Sequence, residues 1–364
     1  MRMKRSRDAR ASAATAAPAP LRIAVVGCGT IGSDKAVEHF GNLTGTVIIY
    51  CVDKSQTAAI ALKKACGGNV KTSCELDLTV LDAVDIVYIA TPPNSHKELA
   101  LRALNAGRHV LLEKPLAACS ADADAIVAAA ENATACVLGV NIGMRWNRAV
   151  HELRKRLASS RPTEGRLSLH FATWPREWQQ SEWVAHRDQG GPLREVGTHF
   201  LFALQELFGR HCVKRVKARV VYDQDDEALA ETAAEGTLEL TDGLAVALSL
   251  CTDGSGLAAA NGTDAHELRF SFAAEADGRA KQLVLEDFTR LRQEQDINGP
   301  SRTVVADGGY GETECIEGLV ERIRGGGKAD GVISAAEARD AQSVLDALLA
   351  SGDEWVDVQY KTNR

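Results

Sequence analysis

Apolar residues in the first 140 positions fall into short unbroken runs with helix-like segments between them. The run Leu21-Arg22-Ile23-Ala24-Val25-Val26, the runs 47–52, 85–90 and 135–140, and His109-Val110-Leu111-Leu112 have the length of strands buried on both faces. Between them, a segment opening at His96 carries Leu99, Leu101 and Leu104, and an alanine-rich segment follows Ala118. Strands alternating with helices predict an α/β Rossmann fold with a doubly wound parallel sheet. Beyond it, runs at 165–173, 213–222, 231–240, 244–252, 267–273 and 282–288 follow one another with mostly alternating polarity. Consecutive strands of that kind predict an α+β domain with a large, mainly antiparallel open sheet.

Length and composition sharpen this picture. A chain of 364 residues exceeds one ordinary core and suggests two domains, with a disordered tail over 1–20, a dinucleotide-binding domain over 21–142 and a substrate and oligomerisation domain over 143–364. The tail is basic, then rich in Ala, Ser and Pro; a targeting role competes there with a plain flexible tail, against which Asp8 and the lack of bulky apolar residues are weighed. A composition 45% hydrophobic and 25% charged, with a net charge of −7, fits a globular protein and argues against nucleic acid as a partner. The longest apolar runs are strand-sized, which argues against a membrane span. Nine scattered cysteines with no metal-like spacing suggest free thiols, no metal site and a cytoplasmic setting.

Chemistry enters where the strands end. Gly27-Cys28-Gly29-Thr30-Ile31-Gly32 follows the first strand without a gap, the spacing of a dinucleotide fingerprint in its required context. Gly27 permits the tight turn, Gly29 lets the backbone approach a pyrophosphate, and Gly32 lets the next helix pack closely. Asp53 closes the second strand, where a carboxylate binds an adenosine ribose or serves as a turn residue. In the ribose role it favours NAD over NADP, although Lys54 and Ser55 could accept a phosphate. The third strand runs into Thr91-Pro92-Pro93-Asn94-Ser95-His96, and the fourth into Glu113-Lys114-Pro115. Strand ends of such a sheet face one crevice, so Thr91, Pro92, Asn94, His96, Glu113 and Lys114 are candidates for the cofactor side. His96 reads equally well as a residue at a helix start. Three of the five tryptophans fall in the segment 171–183, where Trp174, Arg176 and Trp178 combine aromatic faces with a cation suited to a sugar-like or anionic ligand. Arg145 and Trp146, at the start of the second domain, are candidates for the same crevice.

The motifs at 27–32, 90–96 and 113–115, the segment Asn141-Ile142-Gly143-Met144-Arg145-Trp146-Asn147, and Gly190-Gly191-Pro192 through Phe200 resemble the Gfo/Idh/MocA family of glucose-fructose oxidoreductase and inositol dehydrogenase. The resemblance extends to a carboxyl-terminal long helix, a turn at Gly325-Gly326-Gly327 and a final helix over 335–350, with the last helices packing back on the first domain. It implies an NAD(P)-dependent oxidoreductase, with hydride transfer between nicotinamide and a CH-OH or C=O group of a sugar, polyol or related cyclic substrate. It assigns Lys114 to the substrate hydroxyl beside the nicotinamide and His199 to acid-base chemistry, while a partly desolvated Lys114 could equally serve as the proton-transfer group itself. Glu195 stands where the family pattern has Asp, and its role is either substrate ligand or orienter of His199. Spacing by four places Glu195 and His199 on one helix face. The resemblance also implies a homo-oligomer formed through the second sheet. Two alternatives remain: a reductase of a non-sugar carbonyl or dihydrodiol, and a non-catalytic NAD(P)-binding regulator.

Overall fold

The computed structural model describes residues 18–179, 181–257, 265–276, 279–294, 301–327 and 331–361, so the expected tail lies almost wholly outside them. Six strands, β1 (Leu21–Val26), β2 (Thr46–Val52), β3 (Lys71–Ser73), β4 (Ile86–Ile89), β5 (His109–Glu113) and β6 (Leu138–Asn141), form a parallel sheet in the order β3-β2-β1-β4-β5-β6. The order reverses beside β1, which opens a crevice at the strand ends. The connecting helices are α1 (Thr30–Lys35), α2 (Gln56–Cys66), α3 (Leu78–Ala83), α4 (His96–Asn105) and α5 (Ser120–Asn132).

Both faces of this sheet are buried, which is why its strands read as continuous apolar runs. Ile23, Val25, Ile86, Tyr88 and Leu111 pack into one core, which also takes Ile316, Leu319 and Val320 from a distant helix. Ala24, Val26, Val87, Ile89, Val110 and Leu112 belong to the opposite core.

After α6 (Arg148–Ser159), β7 (Pro162–Phe171) starts a second sheet, continued after α7 (Thr198–Phe208) by β8 (Val213–Tyr222), β9 (Glu231–Leu240), β10 (Ala245–Cys251), β11 (His266–Ala276), β12 (Arg279–Glu286), β13 (Arg290–Glu294) and β14 (Ser301–Val305). The helices α8 (Glu312–Ile323) and α9 (Ala335–Ala350) follow, and β15 (Val356–Asp357) closes the sheet. Its nine strands run β14-β13-β12-β11-β7-β10-β9-β8-β15. All neighbours are antiparallel except β7 and β10. Leu167, Leu169, Phe171, Leu248, Leu250, Phe270 and Phe272 bury one face in the core that holds Phe200 and Leu204 of α7. The edge strands β14 and β15, and β13 next to β14, lie outside the runs expected from sequence. β13 has a single large apolar residue, Leu291; its Arg292, together with Arg269 of β11, instead pairs with Glu286 of β12.

Candidate active site

A cavity of about 650 Å³ opens at the carboxyl ends of β1, β2 and β4. Gly27, Gly29, Thr30, Ile31, Asp53, Thr91, Pro92 and Asn94 all line it. Two glycines there are sterically required. Gly27 has φ +92, and a Cβ on it would meet the Ala90 carbonyl oxygen at 2.5 Å; a Cβ on Gly32 would meet the Gly27 oxygen at 1.9 Å. A Cβ on Gly29 would touch nothing within 4 Å, so open space faces this turn at the start of α1. That is the cradle a pyrophosphate needs. The Asp53 carboxylate accepts from the Cys28 amide at 2.7 Å and the Ser55 amide at 2.7 Å, tying the glycine loop to the end of β2.

The opposite wall comes from the second half of the chain. Trp178, Gln179, Ser181, Trp183 and Val184, from the loop after β7, share the cavity with the glycine loop. The amide of Asn94 donates to Gln189 at 3.3 Å, joining this loop to the turn after β4. Trp178 therefore faces the dinucleotide cavity, whereas the sequence placed it with the substrate. Trp183 was passed over singly, although the density of tryptophans in its segment was visible. Glu98, Arg102 and Glu195 also line the cavity, together with Lys54; the first two are single polar positions that carried no motif.

Lys114, at the end of β5, donates from Nζ to the Glu195 carbonyl oxygen at 3.1 Å and to Oε2 at 3.2 Å. Glu195 belongs to a π-helical turn, Leu193–Gly197, that precedes α7. The expected α-helical face shared by Glu195 and His199 is thus replaced by a wider turn. Glu231 of β9 accepts from the Leu193 amide at 2.8 Å and anchors the start of that turn. Glu195 pairs with Lys114, and no hydrogen bond joins it to His199. His199 lies edge-on to Phe288 at 5.1 Å between ring centroids, and its Nδ1 is buried without a partner. Burial, followed by the neighbouring Lys114 cation, pushes its imidazolium down to about 3.

Six further expected residues lie outside the cavity lining. His96 is buried, with Nδ1 3.1 Å from the Pro115 oxygen and Nε2 2.8 Å from the Thr91 oxygen, so it braces two strand-end loops against each other. Glu113 points into the protein, accepting from Tyr88 Oη at 2.7 Å and Asn141 Nδ2 at 2.8 Å; burial raises its carboxyl above the usual range. Arg145 is held by Glu206 at 2.9 Å and Glu337 at 2.6 Å, away from the cavity. Trp174 packs on Phe171 at 5.1 Å and donates to the Val184 oxygen at 3.2 Å, a packing position beneath the loop. Arg176 lies over Trp178 at 4.7 Å and donates to Gln179 at 3.0 Å, steadying the cavity wall. Trp146 is packed against the core and is absent from the cavity lining.

Strand order, glycine turn and strand-end carboxylate together define a dinucleotide-binding Rossmann protein. Residues 21–142 match the model of an oxidoreductase family with an NAD-binding Rossmann fold. That match, to the Gfo/Idh/MocA family, covers the first domain, about a third of the chain. It is similar to inositol 2-dehydrogenase 1 of Saccharopolyspora erythraea, 36% identical over 109 residues that cover 30% of this chain and 32% of that protein. It is also similar to 1,5-anhydro-D-fructose reductase of Ensifer adhaerens, 33% identical over 184 residues that cover 49% of this chain and 54% of that protein. An uncharacterized oxidoreductase of Schizosaccharomyces pombe is matched over 52% of its length, so the chain spans between about a third and a half of these relatives. Among solved structures, levoglucosan dehydrogenase in complex with NADH superposes with a TM-score of 0.71 at 18% identity, covering 94% of this chain and 100% of the other. At that identity the likeness concerns the fold.

Proposed function

We propose that the chain is an NAD(P)-dependent dehydrogenase or reductase acting on a CH-OH or C=O group of a sugar, polyol or related cyclic compound. The observation that carries this reading is the Lys114–Glu195 pair at a strand end of the same crevice as the glycine cavity. The relatives named as an inositol dehydrogenase and an anhydrofructose reductase support the substrate class.

Gly27 to Ile31 would hold the pyrophosphate, Asp53 the adenosine ribose, and the Trp178 to Val184 loop would cover the dinucleotide. Bound there, the nicotinamide supplies a hydride acceptor or donor. Lys114, steadied by Glu195, directs N-H bonds at the substrate oxygen and stabilises negative charge developing on it. His199 is neutral at working pH, so its imidazole can accept the hydroxyl proton in the oxidative direction. Because burial and Lys114 disfavour its charged form, the proton must leave His199 readily. Asp53 supports NAD, while Lys54 and Arg102 in the same cavity support a second reading with NADP. A homo-oligomer through the second sheet belongs to the same proposal.

Steady-state assays with NADH and NADPH against a panel of sugars, inositols and aromatic dihydrodiols test the reading. Polyol or sugar turnover that disappears in His199→Ala supports it. Cofactor binding with no hydride exchange on any member of the panel would overturn the catalytic reading.

A further inference from the structure

A second cavity, of about 420 Å³, shares no residue with the first. Arg187, Arg194, Tyr222 and Asp346 line it together with the turn 118–121 that opens α5. The Arg187 guanidinium lies 3.8 Å from the centroid of the Tyr222 ring. Arg194 uses Nη1 on two carbonyl oxygens, those of Arg187 at 2.7 Å and Gly190 at 3.2 Å. Among the described residues, neither guanidinium has a carboxylate oxygen within ion-pair distance, in a protein where most buried or half-buried arginines do. The 13-residue helix α5 starts at this cavity, and its cap residue Cys119 makes no side-chain hydrogen bond to the first turn. Two guanidinium groups without a carboxylate partner among the described residues and an uncapped helix start converge on one concavity, a donor set that fits an oxyanion.

Several negative groups nearby already have partners. Asp346 accepts from the Ser120 hydroxyl, and burial raises its carboxyl towards the neutral form. Glu231, behind Arg194, accepts from the Leu193 amide through one oxygen, while its other oxygen is buried without a hydrogen bond among the described residues and feels the charges of Arg194 and Arg187. In the loop after β8, Asp223 accepts from the amides of Asp225 and Asp226, and Asp226 from that of Ala228.

We propose that this cavity binds a small molecule bearing a phosphate or carboxylate group, held by Arg187, Arg194 and the start of α5. Its volume exceeds a bare oxyanion and leaves room for an organic body against Tyr222 and Leu349. Arg194 immediately precedes Glu195, and α5 starts shortly after Pro115, so the ligand would bridge the two segments that carry the Lys114–Glu195 pair.

Crystals soaked in selenate locate the site by anomalous scattering, and a peak at the glycine loop is separate from one here. Calorimetric titration of inorganic phosphate and of citrate into wild type, Arg187→Leu and Arg187→Lys gives the affinity; tighter phosphate indicates a phosphate ester, tighter citrate a carboxylate. The expected result is a selenate peak between the two guanidinium groups, with affinity for the preferred anion at least about tenfold weaker in Arg187→Leu and partly kept in Arg187→Lys. Arg187 is exposed and outside the first cavity, so an anion at the glycine loop is unaffected by the change. No peak at this cavity, or equal affinity in wild type and Arg187→Leu, overturns the proposal. If the variant does not fold, the anomalous map alone decides.

Discussion

Lys114 reaches from the end of β5 to Glu195, bonding its backbone carbonyl at 3.1 Å and its carboxylate at 3.2 Å. Both side chains are largely buried, with 17% and 10% of the side chain exposed, so the ammonium is fixed rather than free to sweep the crevice. Lys114→Met is expected to lower kcat by about a hundredfold or more, within the range for losing one donor to a developing oxyanion. Glu195→Gln keeps the carbonyl contact and is expected to cost less. Single-turnover rates at saturating cofactor check both, and equal rates in wild type and Lys114→Met would remove Lys114 from the chemistry.

His199 predicts a pH dependence of stability. Its folded-state value of about 3 lies below the ordinary 6.5, so between these values the unfolded chain binds more protons at this position. Its contribution is present above pH 6.5 and is lost as pH falls towards 3. The slope approaches about 1.4 kcal/mol per pH unit within that window. Urea unfolding at pH 7.5 and pH 5 should show a smaller pH difference in His199→Asn than in wild type.

Asp53 is tied to two amides and lines the dinucleotide cavity, so it should serve both loop geometry and ribose recognition. Hydrogen bonds to charged groups contribute roughly 1.5–3 kcal/mol. Asp53→Ala should therefore weaken NADH binding by about tenfold or more and NADPH binding by less. Fluorescence titration with the two cofactors measures the ratio; an unchanged ratio would leave Asp53 a loop anchor only.

Glu113 separates a structural from a cofactor role. Its partners are Tyr88 and Asn141 inside the sheet, and Glu113→Ala leaves both without an acceptor. Losing such a buried partner costs about 1–3 kcal/mol. Denaturation should show that loss, while the dissociation constant for NADH in the folded variant stays within about twofold of wild type.

The strand-sized apolar runs, the glycine spacing and the strand-end Asp53 made the parallel sheet and its crevice legible, because each is a local consequence of chain geometry. Lys114 was legible as a strand-end residue for the same reason. Its partnership with Glu195 rested on a family pattern, because the two residues lie far apart in the chain. Glu113 sits within a legible motif yet faces inward, since a strand presents neighbouring side chains to opposite sides of the sheet, and His96, at the start of α4, is drawn inward by the Pro115 and Thr91 carbonyl oxygens of two separate loops. The strand β13 was hidden because charged cross-strand pairs, rather than an apolar alternation, hold much of its surface.

The sequence by itself determined most of the strands and helices and the position of the glycine turn at the end of β1, through the periods of 2 and 3.6 and the steric freedom of glycine. Only the tertiary structure decided that Trp178 and Trp183 wall the dinucleotide cavity, that Glu195 sits in a π turn anchored by Glu231, and that Arg187 and Arg194 converge on α5. Those relations join residues from separate layers of the fold, and close packing, rather than any local pattern, brings them within a few ångströms.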